Sequence, residues 1–373
     1  MLLLFIVTAF LLVYASLIFY YWYHWEQLKS FSPYSTKSST FLSVVIAARN
    51  EEKNLLTLLE ALQLQSYPKH LFEIIIVDDF STDATSKVLQ SFINDQITLI
   101  KPNTDAESSS KKKSIEAGVM KARGELIVIT DADCIPPVNW LTTIESFYKR
   151  KAAKFIAAPV KYVHDNSMLQ LFQAIDFMTL QGITAANVHA DFHRMCNGAN
   201  LAYERQAFIE VNGFEGIDNV ASGDDMLLMH KIWKQHPEKI AYLKSKEAIV
   251  TTQPMLSWKD FLMQRRRWAS KTLYYDDNKI ITVLAFVYFL NLLFFVLVIV
   301  SIIYPYYWPL VVFYLIGKTL IEIPFVNSIA KFYDEQKIIR YFILLQPLHI
   351  IYTVIVGLIS QFGKYDWKGR KTK

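Results

Sequence analysis

The run Leu126-Ile127-Val128-Ile129-Thr130 does most to limit the fold. It is apolar and largely β-branched, and it lies between Gly124 and the pair Pro136-Pro137. Such a run reads as a strand buried on both faces, the habit of strands in parallel sheets covered by helices. Sheets of that kind bind ligands just beyond the carboxyl ends of their strands. Asp131 and Asp133 stand at that end here. Two carboxylates one residue apart can share a hard divalent cation. Mg²⁺ or Mn²⁺ held this way keeps waters and accepts substrate phosphate oxygens.

The pattern recurs along the chain. Phe41–Ala47, Glu73–Val77 and Ile97–Ile100 read as further strands, and Leu55, Leu58, Leu59 and Leu62 mark a helix behind the first. Lys101–Lys113 reads as a polar, basic loop, followed by a helix from about Ser114 to Ala122. Strands alternating with helices predict a mostly parallel α/β sheet. Acidic residues cluster at two strand ends, Asp78/Asp79 and Asp131/Asp133. Further on, Ala202–Val211 reads as a helix stopped by Asn212-Gly213. Asp225 follows Gly223 and opens a helix over Met226–Trp233, where Asp224 or Asp225 can also serve as a cap.

The outer parts of the chain differ in character. At 53% hydrophobic and 20% charged, the composition is too apolar for an ordinary soluble enzyme. Leu2–Tyr23 is an uncharged apolar run with Trp22, Tyr23 and Trp25 at its end, long enough to span a bilayer. It lacks a basic n-region and a small-residue cleavage site, so it reads as a retained anchor over 1–25, with a linker over 26–40. Lys29 and Lys37 follow it, which places the next domain, 41–253, in the cytoplasm. Pro254–Tyr275 reads as an amphipathic helix suited to the headgroup region, within a segment over 254–278. Ile280–Tyr304 and Tyr341–Phe362 are strong membrane spans in a region over 279–362. Tyr306–Val326 is weaker because it holds Lys318, Glu322 and Pro324. Two to three C-terminal transmembrane helices are therefore expected, with a basic tail over 363–373.

A net charge of +5 fits an anionic bilayer surface or anionic substrates, and no nucleic acid is expected as a partner. The two cysteines, Cys134 and Cys196, make no disulfide framework and no C-x-x-C zinc signature. His189 and His193 are four apart but lack the glutamate of H-E-x-x-H.

Five motifs in order carry a family resemblance: Ser43–Glu51 (SVVIAARNE), Val77–Asp83 (VDDFSTD), Lys111–Gly118 before Asp131–Asp133, Asn197–Phe214 with Ser222-Gly223-Asp224-Asp225, and Gln264-Arg265-Arg266-Arg267-Trp268. Together they resemble the membrane-bound family 2 glycosyltransferases, over about residues 41 to 270. The resemblance implies a GT-A fold. It implies that Glu51 and Asp79 contact the donor nucleoside and that Lys111, or its neighbour Lys112, approaches the diphosphate. It implies that Asp131 and Asp133 form the D-x-D, with Asp133 the direct metal ligand to Mg²⁺ or Mn²⁺. Asp225 matches the catalytic base. Gln264, Arg267 and Trp268 match the Q-x-x-R-W residues near the diphosphate and acceptor. Ser110 stands where the family often has Gly.

The expectation is an inverting, metal-dependent glycosyltransferase in a cell inner membrane. It would move sugar from a nucleotide diphosphate sugar, a UDP-sugar favoured over a GDP-sugar, to a lipid or lipid-linked hydroxyl at the cytoplasmic face. A processive polysaccharide synthase is the alternative among enzymes. A non-catalytic membrane scaffold or sugar-binding subunit is the alternative of another class.

Overall fold

The computed structural model describes residues 1–34, 38–218, 223–270 and 277–360, together with two short strands at 365–367 and 370–372. Lys37 and Ser222, residues 271–275 and 361–362 at the ends of two expected helices, and residues 363, 364, 368, 369 and 373 of the basic tail lie outside the described residues. The helices are α1 (Leu2–Gln27), α2 (Leu55–Gln63), α3 (Thr85–Gln90), α4 (Lys111–Lys121), α5 (Trp140–Lys151), α6 (Met168–Ala190), α7 (Arg205–Glu210), α8 (Met226–Gln235), α9 (Trp258–Ala269), α10 (Asn278–Ile303), α11 (Trp308–Phe332) and α12 (Ile339–Ile359). The strands are β1 (Leu42–Ala48), β2 (Phe72–Asp78), β3 (Ile97–Ile100), β4 (Leu126–Ile129), β5 (Cys134–Ile135), β6 (Phe155–Ala157), β7 (Val160–Tyr162), β8 (Leu201–Glu204), β9 (Ile240–Tyr242), β10 (Val250–Thr252), β11 (Tyr365–Trp367) and β12 (Arg370–Thr372). The chain divides into an α/β unit, Lys29–Val163 with Arg194–Gln253 and Lys364–Lys373, and a helical unit, Met1–Leu28 with His164–His193 and Pro254–Gly363.

In the α/β unit a seven-stranded sheet runs in the order β3-β2-β1-β4-β8-β6-β9. β1 pairs in parallel with β2 on one side and β4 on the other, with Leu42 opposite Phe72 and Leu126. β3 adds in parallel to β2. The apolar runs of these strands are buried on both faces, as double coverage by helices requires. The carboxyl ends of β2, β1 and β4 therefore share one edge of the sheet. At about 4.8 Å per strand, the ends of β2 and β4 stand roughly 10 Å apart.

Two parts differ from the sequence reading. Leu201–Glu204 is not helical but forms β8, antiparallel to both β4 and β6. The open side of β4 offers backbone groups that need partners, and this demand overrides a weak local helical pattern. The helix there shortens to Arg205–Glu210, and its stop at Asn212-Gly213, both at positive φ, is as read. Second, α4 begins at Lys111, not near Ser114. The Ser110 hydroxyl accepts a hydrogen bond from the Lys113 amide and so caps the helix, which makes Lys111–Lys113 its first turn. A smaller sheet, β5-β10-β7, sets Thr252 opposite Cys134 just past the D-x-D. In the tail, β11 and β12 pair antiparallel.

The helical unit is built from α1, α6 and α9 to α12. α1 is apolar all round, yet it buries one seam: Val7, Leu11, Tyr14, Ile18, Tyr21 and Trp25. That alternating spacing of four and three is the seam of a helix packed lengthwise on others. Among the described residues, four helical stretches are long and apolar enough to cross a membrane: Leu2–Gln27, Asn278–Ile303, Pro305–Phe332 and Gln336–Ile359. The weaker third span reads this way because its charges are turned inward. Lys318 and Glu322 are both buried and paired with each other. Glu322 also accepts hydrogen bonds from the Tyr14 hydroxyl on α1 and the Gln346 amide on α12. In a membrane, ionisable groups facing the bundle interior and pairing there are the tolerated arrangement.

Candidate active site

The site is assembled at the carboxyl end of β4. The Thr130 hydroxyl donates to the Ala199 carbonyl at 2.9 Å, which fastens the strand end to the loop before β8. The chain then turns, with the Cys134 amide on the Asp131 carbonyl at 3.2 Å, and the Thr252 hydroxyl reaches the Asp133 carbonyl at 3.3 Å. Asp131 and Asp133 are both half-buried. The Cys134 thiol lies 3.6 Å from Asp133 Oδ1. Burial, then the carboxylates of Asp133 and Asp131, push this thiol well above its usual range. Cys134 is accordingly a small packed residue beside the acids and not a nucleophile.

Lys111 reaches into the acids from the first turn of α4. Its Nζ lies 2.6 Å from Asp131 Oδ1 and 3.2 Å from Asp224 Oδ2. Burial works against its charge, but Asp131, Asp224 and Asp225 outweigh it and raise its pKa. Lys112 points elsewhere, with its ammonium on the Ile217 carbonyl. The two neighbouring lysines thus have different partners, and Lys111, the one preferred from the sequence, is the one among the acids.

Asp225 caps α8. Its Oδ1 accepts the Met226 amide at 2.8 Å and its Oδ2 accepts the Gly198 amide at 3.0 Å. Gly223, at φ +83°, makes the turn that brings Asp224 and Asp225 in. Gly198 sits at the centre of the cluster. A Cβ added there would come within 3.3 Å of Lys111 Nζ and 3.4 Å of Asp224 Oδ2. The Gly198 amide and the Lys111–Asp224 pair are features the sequence reading missed. Only the adjacency of two aspartates after a glycine hinted at the second.

On the same sheet edge, β1 and β2 end in turns whose Asn50 and Phe80 have positive φ. The two acids after β2 are used differently. Asp78 serves its own turn, holding the Ser81 amide at 3.0 Å and the Ser86 hydroxyl. Asp79 is buried and its carboxylate accepts the Ser109 hydroxyl, while Arg49 donates to its carbonyl at 2.7 Å. Glu51 receives Asn54 Nδ2 at 2.6 Å on its carboxylate, and its amide donates to Thr85 Oγ1 at 2.8 Å.

Gln264, Arg267 and Trp268 lie on α9 in the helical unit, all half-buried. Arg265, on the same helix, is turned inward. It is only 2% exposed, and its Nη2 pairs with Asp176 Oδ2 of α6 at 2.8 Å. His189 and His193 do not share a site either. His189 Nδ1 meets His24 Nδ1 at 3.3 Å, and His193 Nε2 meets the Tyr21 hydroxyl at 3.2 Å.

The donor set suits a divalent cation. Around Lys111 stand the carboxylates of Asp131, Asp224 and Asp225, with Asp133 next along, so hard oxygen donors outnumber the one ammonium. Among the described residues no three His, Cys, Asp or Glu side chains form a ready-made cage. Carboxylate oxygens such as those of Asp131 and Asp133 are the donor type taken by Mg²⁺ or Mn²⁺ that is completed by waters and substrate phosphates.

Comparison with known proteins agrees with this architecture. Residues 43–211 match the family described as Glycosyl transferase family 2. The glycosyltransferase AglE of Haloferax volcanii is 26% identical over 133 residues, which is 35% of this chain and 43% of that protein. The dolichyl-phosphate beta-glucosyltransferase of Mus musculus is 39% identical over 102 residues, 25% of this chain and 31% of that one. The chain thus spans less than half the length of these curated relatives. Among solved structures, the mannosyltransferase PcManGT from Pyrobaculum calidifontis, in complex with GDP-Man and Mn²⁺, superposes with a TM-score of 0.59 at 17% identity. That match covers 96% of this chain and 99% of that one. The sheet order, the acid cluster at the end of β4 and the matched span lead to one conclusion: residues 43–211 are a family 2 glycosyltransferase domain of GT-A fold.

Proposed function

We propose that the chain is an inverting, metal-dependent glycosyltransferase. It moves a sugar from a nucleoside diphosphate sugar, a UDP-sugar on the family resemblance, to a lipid or lipid-linked hydroxyl at the cytoplasmic face of a cell inner membrane. The observation that carries this reading is the convergence of Lys111, Asp131, Asp224, Asp225 and the Gly198 amide at the end of β4. Four membrane-length helices among the described residues, and a relative named for a dolichyl-phosphate acceptor, support the lipid acceptor.

Expulsion of a nucleoside diphosphate develops negative charge on the leaving group. A divalent ion held by Asp131 and Asp133 supplies Lewis-acid stabilisation of that charge when bound. Lys111, fixed in the same cluster, adds a preorganised positive charge. Asp225 takes the proton of the acceptor hydroxyl as general base. Its two backbone contacts fix the carboxylate in one orientation, so little reorganisation accompanies the transfer. One base and a single in-line displacement invert the anomeric carbon. Glu51 and Asp79 hold the nucleoside, and Gln264, Arg267 and Trp268 act at the diphosphate and acceptor.

The test is nucleotide release and sugar transfer by detergent-purified protein, with a panel of UDP- and GDP-sugars and a total lipid extract, with and without Mn²⁺ or Mg²⁺. Metal-dependent release from one donor, lost in Asp133→Ala and Asp225→Asn, is expected. Release that persists in both variants would sink the assignment, and product mass would separate one added sugar from a polymer.

A further inference from the structure

The buried ion pair in the helical unit gives the Q-x-x-R-W helix a fixed orientation. On α9, Phe261, Arg265 and Trp268 follow one another at helical spacing and share a face. That face is anchored. The Arg265 guanidinium lies 4.4 Å from the Trp268 ring centre and 5.1 Å from that of Phe261. Its partner Asp176 is only 7% exposed and is also approached by His349 Nε2 of α12 at 3.5 Å. The Trp268 ring rests against Phe177, the neighbour of Asp176, at 5.9 Å between centres. Asp176 thus gathers α6, α9 and α12 on one carboxylate. Burial alone would raise its pKa, but Arg265, followed by His349, overrides this and lowers it.

Gln264 and Arg267 are three residues apart and lie on the adjoining stripe of α9, rotated from Arg265 and Trp268 by about 100°. Wherever the anchored face is held, the direction of this second stripe follows. We infer that Arg265 and Asp176 are positioning residues for the transfer reaction: their buried pair sets the rotation of α9 about its axis and thereby aims Gln264 and Arg267. Arg suits the role because its planar fork and its stacking on Trp268 fix an angle, which the flexible ammonium of a lysine would not. This inference rests on the proposed function, in which Gln264 and Arg267 act on the substrates.

The test is a double-mutant cycle with a second, activity-free readout. Asp176→Asn is expected to lower kcat/KM by about tenfold to a hundredfold, the scale of a misplacement near 1 Å. In a Gln264→Ala/Arg267→Ala background the same change is expected to cost less than about twofold, because the residues it aims are gone. Arg265→Lys keeps the charge and, should Asp176→Asn not fold, reports the same loss of aim. For the second readout, Gln264→Cys is placed in a Cys196→Ser chain and labelled with a water-soluble maleimide. Asp176→Asn is expected to change the labelling rate severalfold. Equal losses in both backgrounds with unchanged labelling would overturn the inference. Labelling altered by Asp176→Asn, together with a wild-type protein that transfers no sugar, would support the anchor and overturn the proposed function instead.

Discussion

The pair Lys318–Glu322 offers a prediction whose sign reverses between single and double variants. Glu322 accepts Lys318 from its own helix, Tyr14 from α1 and Gln346 from α12, so three helices meet on one carboxylate. Lys318 is 1% exposed. Glu322→Gln keeps the size of the side chain but leaves that ammonium buried without its counter-charge. Breaking a buried pair in this way costs about 3–5 kcal/mol. At roughly 2–4 °C per kcal/mol for a unit of this size, the melting temperature falls by about 10 °C. The double variant Lys318→Met/Glu322→Leu removes both charges and fills the space with apolar groups. For such replacements the expected change is near zero or stabilising by about 1–4 kcal/mol. The assay is thermal unfolding in detergent or nanodiscs, followed by tryptophan fluorescence and by retention on size exclusion. A double variant at least as unstable as Glu322→Gln would refute the reasoning. It would mean that the tyrosine and glutamine contacts, not charge compensation, hold the three helices together.

Asp225→Asn removes the proposed base while keeping a carbonyl oxygen for the Met226 or Gly198 amide. Turnover should fall by about a hundredfold to ten-thousandfold with the KM for donor nearly unchanged, as steady-state kinetics would show. Gly198→Ala brings a methyl to 3.3 Å from Lys111 Nζ and 3.4 Å from Asp224 Oδ2. Activity should drop by about tenfold or more without a matching loss of thermal stability. Because the Cys134 thiol is held above its usual range, raising the pH to about 8.5, the ordinary thiol value, leaves it protonated in the folded protein. A maleimide at that pH should modify the half-buried Cys196 and spare Cys134, with mass spectrometry of the peptides as the measurement. Labelling of Cys134 at the rate of Cys196 would contradict its assigned surroundings.

How much of this could be read in the sequence depended on where each signal resides. β1, β2 and β4 were legible because β-branched runs between polar and Gly or Pro punctuation have few other homes. Lys318 and Glu322 are four apart on one helix, a spacing that allows the pairing found between them. β8 was not, because four residues carry too little periodicity, and what makes them a strand is the unpaired edge of β4 far off in the chain. The start of α4 was hidden by composition. Three lysines look like a solvated loop, while the decisive signal is the single hydroxyl of Ser110. The burial of Arg265 was hidden for a similar reason. A basic helix next to a membrane span resembles a headgroup-facing one, and the partner that buries this arginine, Asp176, lies in another segment altogether.

The interleaving of the two units bears on how the chain must be made. The polypeptide passes from the helical unit to the α/β unit and back with α6 inserted between β7 and β8. β8 is the strand that joins β4 to β6. A nascent chain that has emerged only as far as residue 163 therefore holds β4 and β6 with a vacant lane between them, and the sheet closes only after Leu201–Glu204 has left the ribosome. The carboxylates of Asp224 and Asp225 come later still. Until then the D-x-D end of β4 is unfinished, and premature release at any point before β8 would yield a sheet with an open lane, the kind of surface on which chains aggregate.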